Sequence, residues 1–111
     1  MGTSESDFVA AAERALAAIE AAVEACAADI ETTRTDNVLT LELEDGSKII
    51  VNSQAPTRQI WVAARSGGFH YDWRNGTWHD TRDGTELFAA LSRLISAQSG
   101  IAIVLRPGAS T

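Results

Sequence analysis

Residues 4 to about 28 repeat their apolar side chains at helical spacing. Phe8, Leu16, Ile19, Val23 and Cys26 fall on one stripe at about 100° per residue, and alanine fills much of the rest. Ser4 followed by Asp7 is an N-cap signal, and the Thr32-Thr33 region marks the expected exit. The period then changes. From Val38 to Leu43 the residues Leu39, Leu41 and Leu43 alternate with Thr40 and Glu42, the pattern of a half-buried strand. Asp45-Gly46 supplies a hairpin turn into a second strand, Lys48 to Asn52. Pro56 closes that segment, and Gln59 to Ala64 reads as a third strand. Gly67-Gly68 is read as a turn, Phe69 to Trp73 as a fourth strand, and Asn75-Gly76 as a tight turn into a fifth around Trp78.

Asp83-Gly84-Thr85-Glu86 has the form of a capping box and opens a second helix, with Leu87, Phe88, Leu91, Leu94 and Ile95 on one face. Gly100 follows at the position where a helix ends, and Ile101, Ile103 and Leu105 alternate in a short extended tail before Pro107. Two amphipathic helices flanking short antiparallel strands predict an α+β fold in one domain spanning residues 1–111. It is a two-layer α-β sandwich, with both helices on one face of an antiparallel five- to six-stranded sheet. The other face of that sheet is left for solvent or a partner.

Charge changes the picture. The chain has 111 residues and a net charge of −6, from 15 acids against nine bases. Residues 1–31 alone carry seven acids and one base, so the remainder sums to zero. Acidity confined to one segment suits cations or a basic protein surface and opposes nucleic acid. The longest uncharged run, Leu94 to Leu105, is 12 residues, below the roughly 18 needed to cross a bilayer. The opening residues lack the basic and apolar regions of a secretory signal, so the cytoplasm is the expected compartment. The one cysteine, Cys26, has no partner for an internal disulfide and sits on the apolar stripe, where it reads as a small hydrophobe.

Candidate chemistry lies on two surfaces. Relative to Glu13, Glu20 falls at about −20° and Glu24 at about +20°, a ridge roughly 100° around from the apolar stripe. Glu20 and Glu24 are one turn apart, so two carboxylates can reach one ion, and Asp29, Glu31 and Asp36 extend the acidity past the helix. Oxygen ligands on an open surface suit hard cations, bound weakly. The bland alternative is a solvated face. On the third strand Ile60 and Val62 point one way and Gln59, Trp61 and Ala63 the other. If the aliphatic pair faces the helices, Trp61 lies on the open face beside Asn52 and Gln54, the composition of an interaction hot spot. The alternative is a Trp61 that closes the core at the sheet edge. No pairing of a nucleophile with a base is present, so no enzyme is expected. His70 and His79 read as strand histidines rather than ligands of a metal or haem iron.

The run Val38-Leu39-Thr40-Leu41, Asp45-Gly46-Ser47-Lys48-Ile49-Ile50-Val51-Asn52, Gln54-x-Pro56, Gln59-Ile60-Trp61 and Gly67-Gly68-Phe69-His70-Tyr71-Asp72, with Trp78 before Asp83-Gly84, resembles the frataxin family, its bacterial branch most of all. The resemblance covers about residues 6–106 and implies a frataxin-like α-β sandwich. It also implies an iron-binding protein (Fe2+ or Fe3+, weakly held) acting in iron–sulfur cluster assembly. The implied role is iron donor or sensor and regulator of the cysteine desulfurase IscS with its scaffold IscU. Its form would be a monomer, with metal-induced oligomers. An iron-oxidising, storage-like activity is the alternative. By the same resemblance Glu20, Glu24, Asp29 and Glu31 form the metal ridge, to which helix geometry adds Glu13. Asn52, Gln54, Trp61 and His70 form the partner-binding face. The sequence departs from the bacterial pattern at Ala21, Ala25, Ala27 and Ala28, where relatives carry nearly continuous acids, and by Arg34 in the loop before Val38. These changes argue against a high iron stoichiometry.

Overall fold

The computed structural model describes residues 4–26 and 28–106; Ala27 and Pro107, named above, lie outside them. Ser4 caps the first helix, α1 (Glu5–Ala25), by accepting the Asp7 backbone N–H on its hydroxyl at 3.1 Å. Six strands follow, β1 (Glu31–Thr35), β2 (Val38–Glu42), β3 (Lys48–Gln54), β4 (Gln59–Ala64), β5 (Gly67–Arg74) and β6 (Thr77–Asp80), before the second helix, α2 (Leu87–Ser99). Each strand pairs antiparallel with the next in sequence, giving the order β1-β2-β3-β4-β5-β6. The expected architecture is the one observed: both helices pack on one face of this sheet.

The core follows from the alternation. Leu39 and Leu41 of β2, Ile49 and Val51 of β3, Ile60 and Val62 of β4 and Tyr71 of β5 are at most 1% exposed. They meet Phe8, Leu16, Ile19 and Val23 of α1 and Leu87, Leu91 and Ile95 of α2 in one cluster. Phe8 meets the Trp78 ring edge-on at 5.8 Å. Burial, then the negative charges of Asp80 and Asp83, hold the Tyr71 phenol protonated well above the ordinary tyrosine range.

The structure corrects several local expectations. The helix stops at Ala25, because Cys26 is already extended (φ −81°, ψ 168°), and Thr32-Thr33 are not its exit but the middle of β1. Three threonines in five residues give that segment β-branched stiffness that outweighs its polarity. β1 joins β2 through Asp36-Asn37, with Asp36 at φ 52°. Gly67 and Gly68 belong to β5, since Ala64 pairs with Gly67 and the turn is Arg65-Ser66. Asn75-Gly76 is the expected tight turn, with φ positive at both residues (50° and 88°). At α2 the capping residue is Glu86, whose carboxylate accepts from the Phe88 and Ala89 N–H groups, while Asp83 instead accepts the Thr85 N–H. Beyond Gly100, Ile103 and Leu105 are buried and Ile101 is exposed. Hydroxyls of Ser96 and Ser92 accept the Ile103 and Leu105 N–H groups and hold the tail to α2 without a strand.

Candidate functional site

The acidic ridge runs along the side of α1 that overhangs the edge strand. β1 is paired so that Thr32 sits opposite Leu41 and Arg34 opposite Leu39, which points both toward the helix layer. There the Arg34 guanidinium, 21% exposed, pairs with the Glu13 carboxylate, and the Thr32 hydroxyl donates to Glu24 at 3.4 Å. Glu13 is therefore neutralised by the basic residue that the acidic segment's neighbour supplies. Glu24 is exposed and Glu20 half-buried one turn before it, with no cationic partner for either among the described residues.

Asp29 and Glu31 lie elsewhere. Glu31 pairs with Glu42 across β1 and β2, on the face turned away from the helices. With Asp29, Glu42 and Glu44 it lines a shallow recess of about 200 Å³. The structure thus divides the five metal candidates into a ridge of Glu13, Glu20 and Glu24 and a recess of Asp29 and Glu31. Glu42 and Glu44, missed in the sequence, join the recess. Their signal was available: in an alternating strand they share the polar parity opposite Leu41 and Leu43. Among the described residues no group of three or more His, Cys, Asp or Glu side chains is spaced to hold a metal ion. These acids are a surface of oxygen donors without a closed coordination shell.

Cys26 is half-buried against the core, and its thiol approaches the Ala28 carbonyl at 3.9 Å. His79 is half-buried with both ring nitrogens engaged, Nε2 2.6 Å from the Thr77 hydroxyl and Nδ1 3.0 Å from the Gly84 carbonyl. Nδ1 donates to that carbonyl, so neither nitrogen is open to a metal.

The second surface is the uncovered face of the sheet. Asn52, Trp61 and His70 stand directly opposite one another across β3, β4 and β5. The Trp61 and His70 rings stack at 4.4 Å with 13° between their planes. Trp61 does not close the core: Ile60 and Val62 beside it do, and Trp61 takes the opposite parity, half-buried. A second row places Gln54, Gln59 and Asp72 in register. Trp61 Nε1 donates to Gln59 Oε1 at 2.9 Å, and Gln59 Nε2 donates to Asp72 at 3.2 Å. Gln59 and Asp72 were not among the expected site residues, yet they fix the plane of the indole. Ile50, 37% exposed, lies one row away on the same face.

This combination of two helices and a six-stranded antiparallel meander has known counterparts. The family profile of the frataxin-like domain matches residues 1–101. The chain belongs to the frataxin family. Among its relatives, the iron-sulfur cluster assembly protein CyaY of Cupriavidus metallidurans is 56% identical over 107 residues, which cover 93% of this chain and 96% of that protein. The CyaY protein of Cupriavidus taiwanensis is 58% identical over 104 residues, covering 90% and 94%. Among solved structures, frataxin from Psychromonas ingrahamii superposes with a TM-score of 0.84 at 37% identity, covering 90% of this chain and 95% of that one. A trimeric yeast frataxin from Saccharomyces cerevisiae, complexed with ferrous iron, superposes at 0.63 with 28% identity, covering 90% and 89%.

Proposed function

We propose that this protein takes part in iron–sulfur cluster assembly in the bacterial cytoplasm. Its role there is to bind iron weakly and regulate the cysteine desulfurase IscS with its scaffold IscU. The observation that carries the reading is the sheet face left bare by both helices, where Asn52, Trp61 and His70 stand in one row with the indole fixed by Gln59. An aromatic residue held in one orientation on an open face loses little entropy on docking, the property of an interaction anchor. The names of the bacterial relatives support the same role.

Iron is the cargo. Glu20 and Glu24 offer a carboxylate pair with no cationic partner among the described residues, whereas at Glu13 a cation must displace Arg34. Asp29 and Glu31, with Glu42 and Glu44, provide a second acidic recess. Open oxygen-only sites hold hard cations weakly and exchange them readily, as a donor or sensor requires. The protein works as a monomer, and metal shared between acidic surfaces of two copies drives any oligomer.

The deciding experiment is a pull-down with desulfurase and scaffold, with and without ferrous iron, combined with the rate of cluster assembly on the scaffold. Capture of the complex and a changed rate support the reading, and absence of both removes it. A second reading, iron oxidation with storage, is favoured by one relative, the trimeric yeast frataxin complexed with ferrous iron. Oxygen uptake by ferrous iron that rises in proportion to added protein would establish that reading instead.

A further inference from the structure

At the β5–β6 end of the bare sheet face, Gly68, His70, Thr81 and Arg82 line a recess of about 300 Å³. Neither Arg82 nor His70 is in an ion-pair contact with an acid among the described residues, although Arg82 lies close enough to Asp83 to help lower its carboxyl below the ordinary range. The Arg82 guanidinium spends one N–H on the Gly68 carbonyl at 2.8 Å and lies 5.5 Å over the Phe69 ring. No carboxylate among the described residues comes within ion-pair distance of it. The acids nearest in sequence are occupied. Asp80, 5% exposed, accepts the N–H groups of Arg82 and Asp83, and Asp83 accepts that of Thr85. His70 is exposed, its ring stacked on Trp61, and its nitrogens meet no protein partner among the described residues.

The backbone of the recess is fixed as well. The Thr81 N–H donates to the His70 carbonyl at 2.9 Å, and the two Asp80 bonds hold the turn that presents Arg82. A guanidinium has five donors in a planar fork, and four remain here for a ligand. Such a group, held by a carbonyl and an aromatic face and with no carboxylate in ion-pair contact, is preorganised for bidentate capture of a carboxylate.

We propose that this recess receives an acidic side chain, Asp or Glu, of the protein that docks on the sheet face. Arg82 grips its carboxylate, and His70 closes the contact from the Trp61 side. The inference rests on the docking reading above and adds to it the charge of the partner at this end. Charge complementarity selects the occupant. The protein is anionic overall, so free anions are repelled from it at long range. A carboxylate delivered within a docked interface meets only the local cationic fork. His70 makes the recess continuous with the Trp61 row, so one partner spans both.

The test measures affinity of the desulfurase–scaffold complex for the wild type, Trp61→Ala, Arg82→Gln and Arg82→Glu, with thermal melts of each. Expected are a five- to tenfold loss for Arg82→Gln, a larger loss for Arg82→Glu, and recovery of the latter when one partner acid is changed to lysine. Loss with Trp61→Ala but wild-type affinity in both Arg82 variants overturns the recess alone. Wild-type affinity in all three overturns the docking reading and the recess with it. If Arg82→Gln proves unstable, Thr81→Asp places a carboxylate in the recess and leaves the Arg82–Gly68 bond untouched. The same loss is expected, and undiminished affinity overturns the assignment. In a parallel NMR titration, tighter binding of inorganic phosphate than of acetate at the Gly68 and Thr81 amides would assign the recess to a free anion instead.

Discussion

Trp61 and Trp78 are the same residue type in the same sheet with opposite tasks. Trp78 is 3% exposed and packs against Phe8 and Trp73, at 5.8 and 5.0 Å between ring centres. Its truncation to alanine is expected to cost about 3–5 kcal/mol of folding stability. Trp61 keeps its indole on the bare face, so Trp61→Ala loses mainly the His70 stack, about 1 kcal/mol of stability. It should lose about 2 kcal/mol or more of binding to the desulfurase–scaffold complex. Urea melts and titration calorimetry separate the two, and a stability loss as large as that of Trp78→Ala would return Trp61 to a packing role.

Asp45 acts on its own turn. It is exposed, but the Ser47 hydroxyl, the Ser47 backbone N–H and then Arg65 hold its carboxyl at about 2. A carboxyl lower in the folded than in the unfolded chain adds stability that is present above about pH 4 and lost as pH falls through about 2. In that window stability should fall less steeply for Asp45→Asn than for the wild type. A carbon NMR titration should place the Asp45 midpoint near 2, and a midpoint near the ordinary aspartate value would contradict the cause given.

At the scale of the element, α1 has one acidic face that is partly spoken for. Glu13 has Arg34, whereas Glu20 and Glu24 repel one another across one turn. The double variant Glu20→Gln with Glu24→Gln should be as stable as the wild type or a few tenths of a kcal/mol more so. Added salt should raise the wild-type melting temperature more than the variant's. Ferrous and other hard cations should stabilise the wild type by mass action and the variant less. Undiminished iron and desulfurase binding by the variant would leave the ridge a solubility device.

That ridge was legible because a helix of known period places Glu13, Glu20 and Glu24 without tertiary information. The strands with apolar alternation were equally legible, β4 to the residue, because burial on one face writes itself into every second position. β1 was not, since an edge strand that shows the helix layer Thr32 and Arg34 has no apolar code to read. Missing it hid the origin of Arg34's partner and the Glu31–Glu42 pairing, and so the division of the acids into two groups. Register also lay beyond the sequence: that Asn52, Trp61 and His70 share a row depends on two hairpin turns at once.

Taken whole, the molecule is electrically lopsided, with the full net charge of −6 carried by its first 31 residues and balanced charge elsewhere. An uneven charge of this kind orients a molecule before contact and accelerates meeting with a basic surface. The association rate with the desulfurase should fall by about tenfold between about 10 mM and 150 mM salt. The dissociation rate should change much less, as stopped-flow measurements can resolve. A salt-independent association rate would remove the ridge from the encounter.

The unbroken order β1-β2-β3-β4-β5-β6 bears on how the chain comes to be folded at all. Every sheet contact is made by hairpins closing between neighbours in sequence, so the loop-closure entropy of each step is small. α1 leaves the ribosome before the sheet, so its stripe of Phe8, Leu16, Ile19 and Val23 has nothing to cover until the sheet exists. The sheet in turn stays half-wet until α2, which follows it in the chain, arrives beside it. The nascent chain therefore holds an apolar helix in waiting while the six strands are made. The acids along that helix are also the charges that keep it in solution meanwhile.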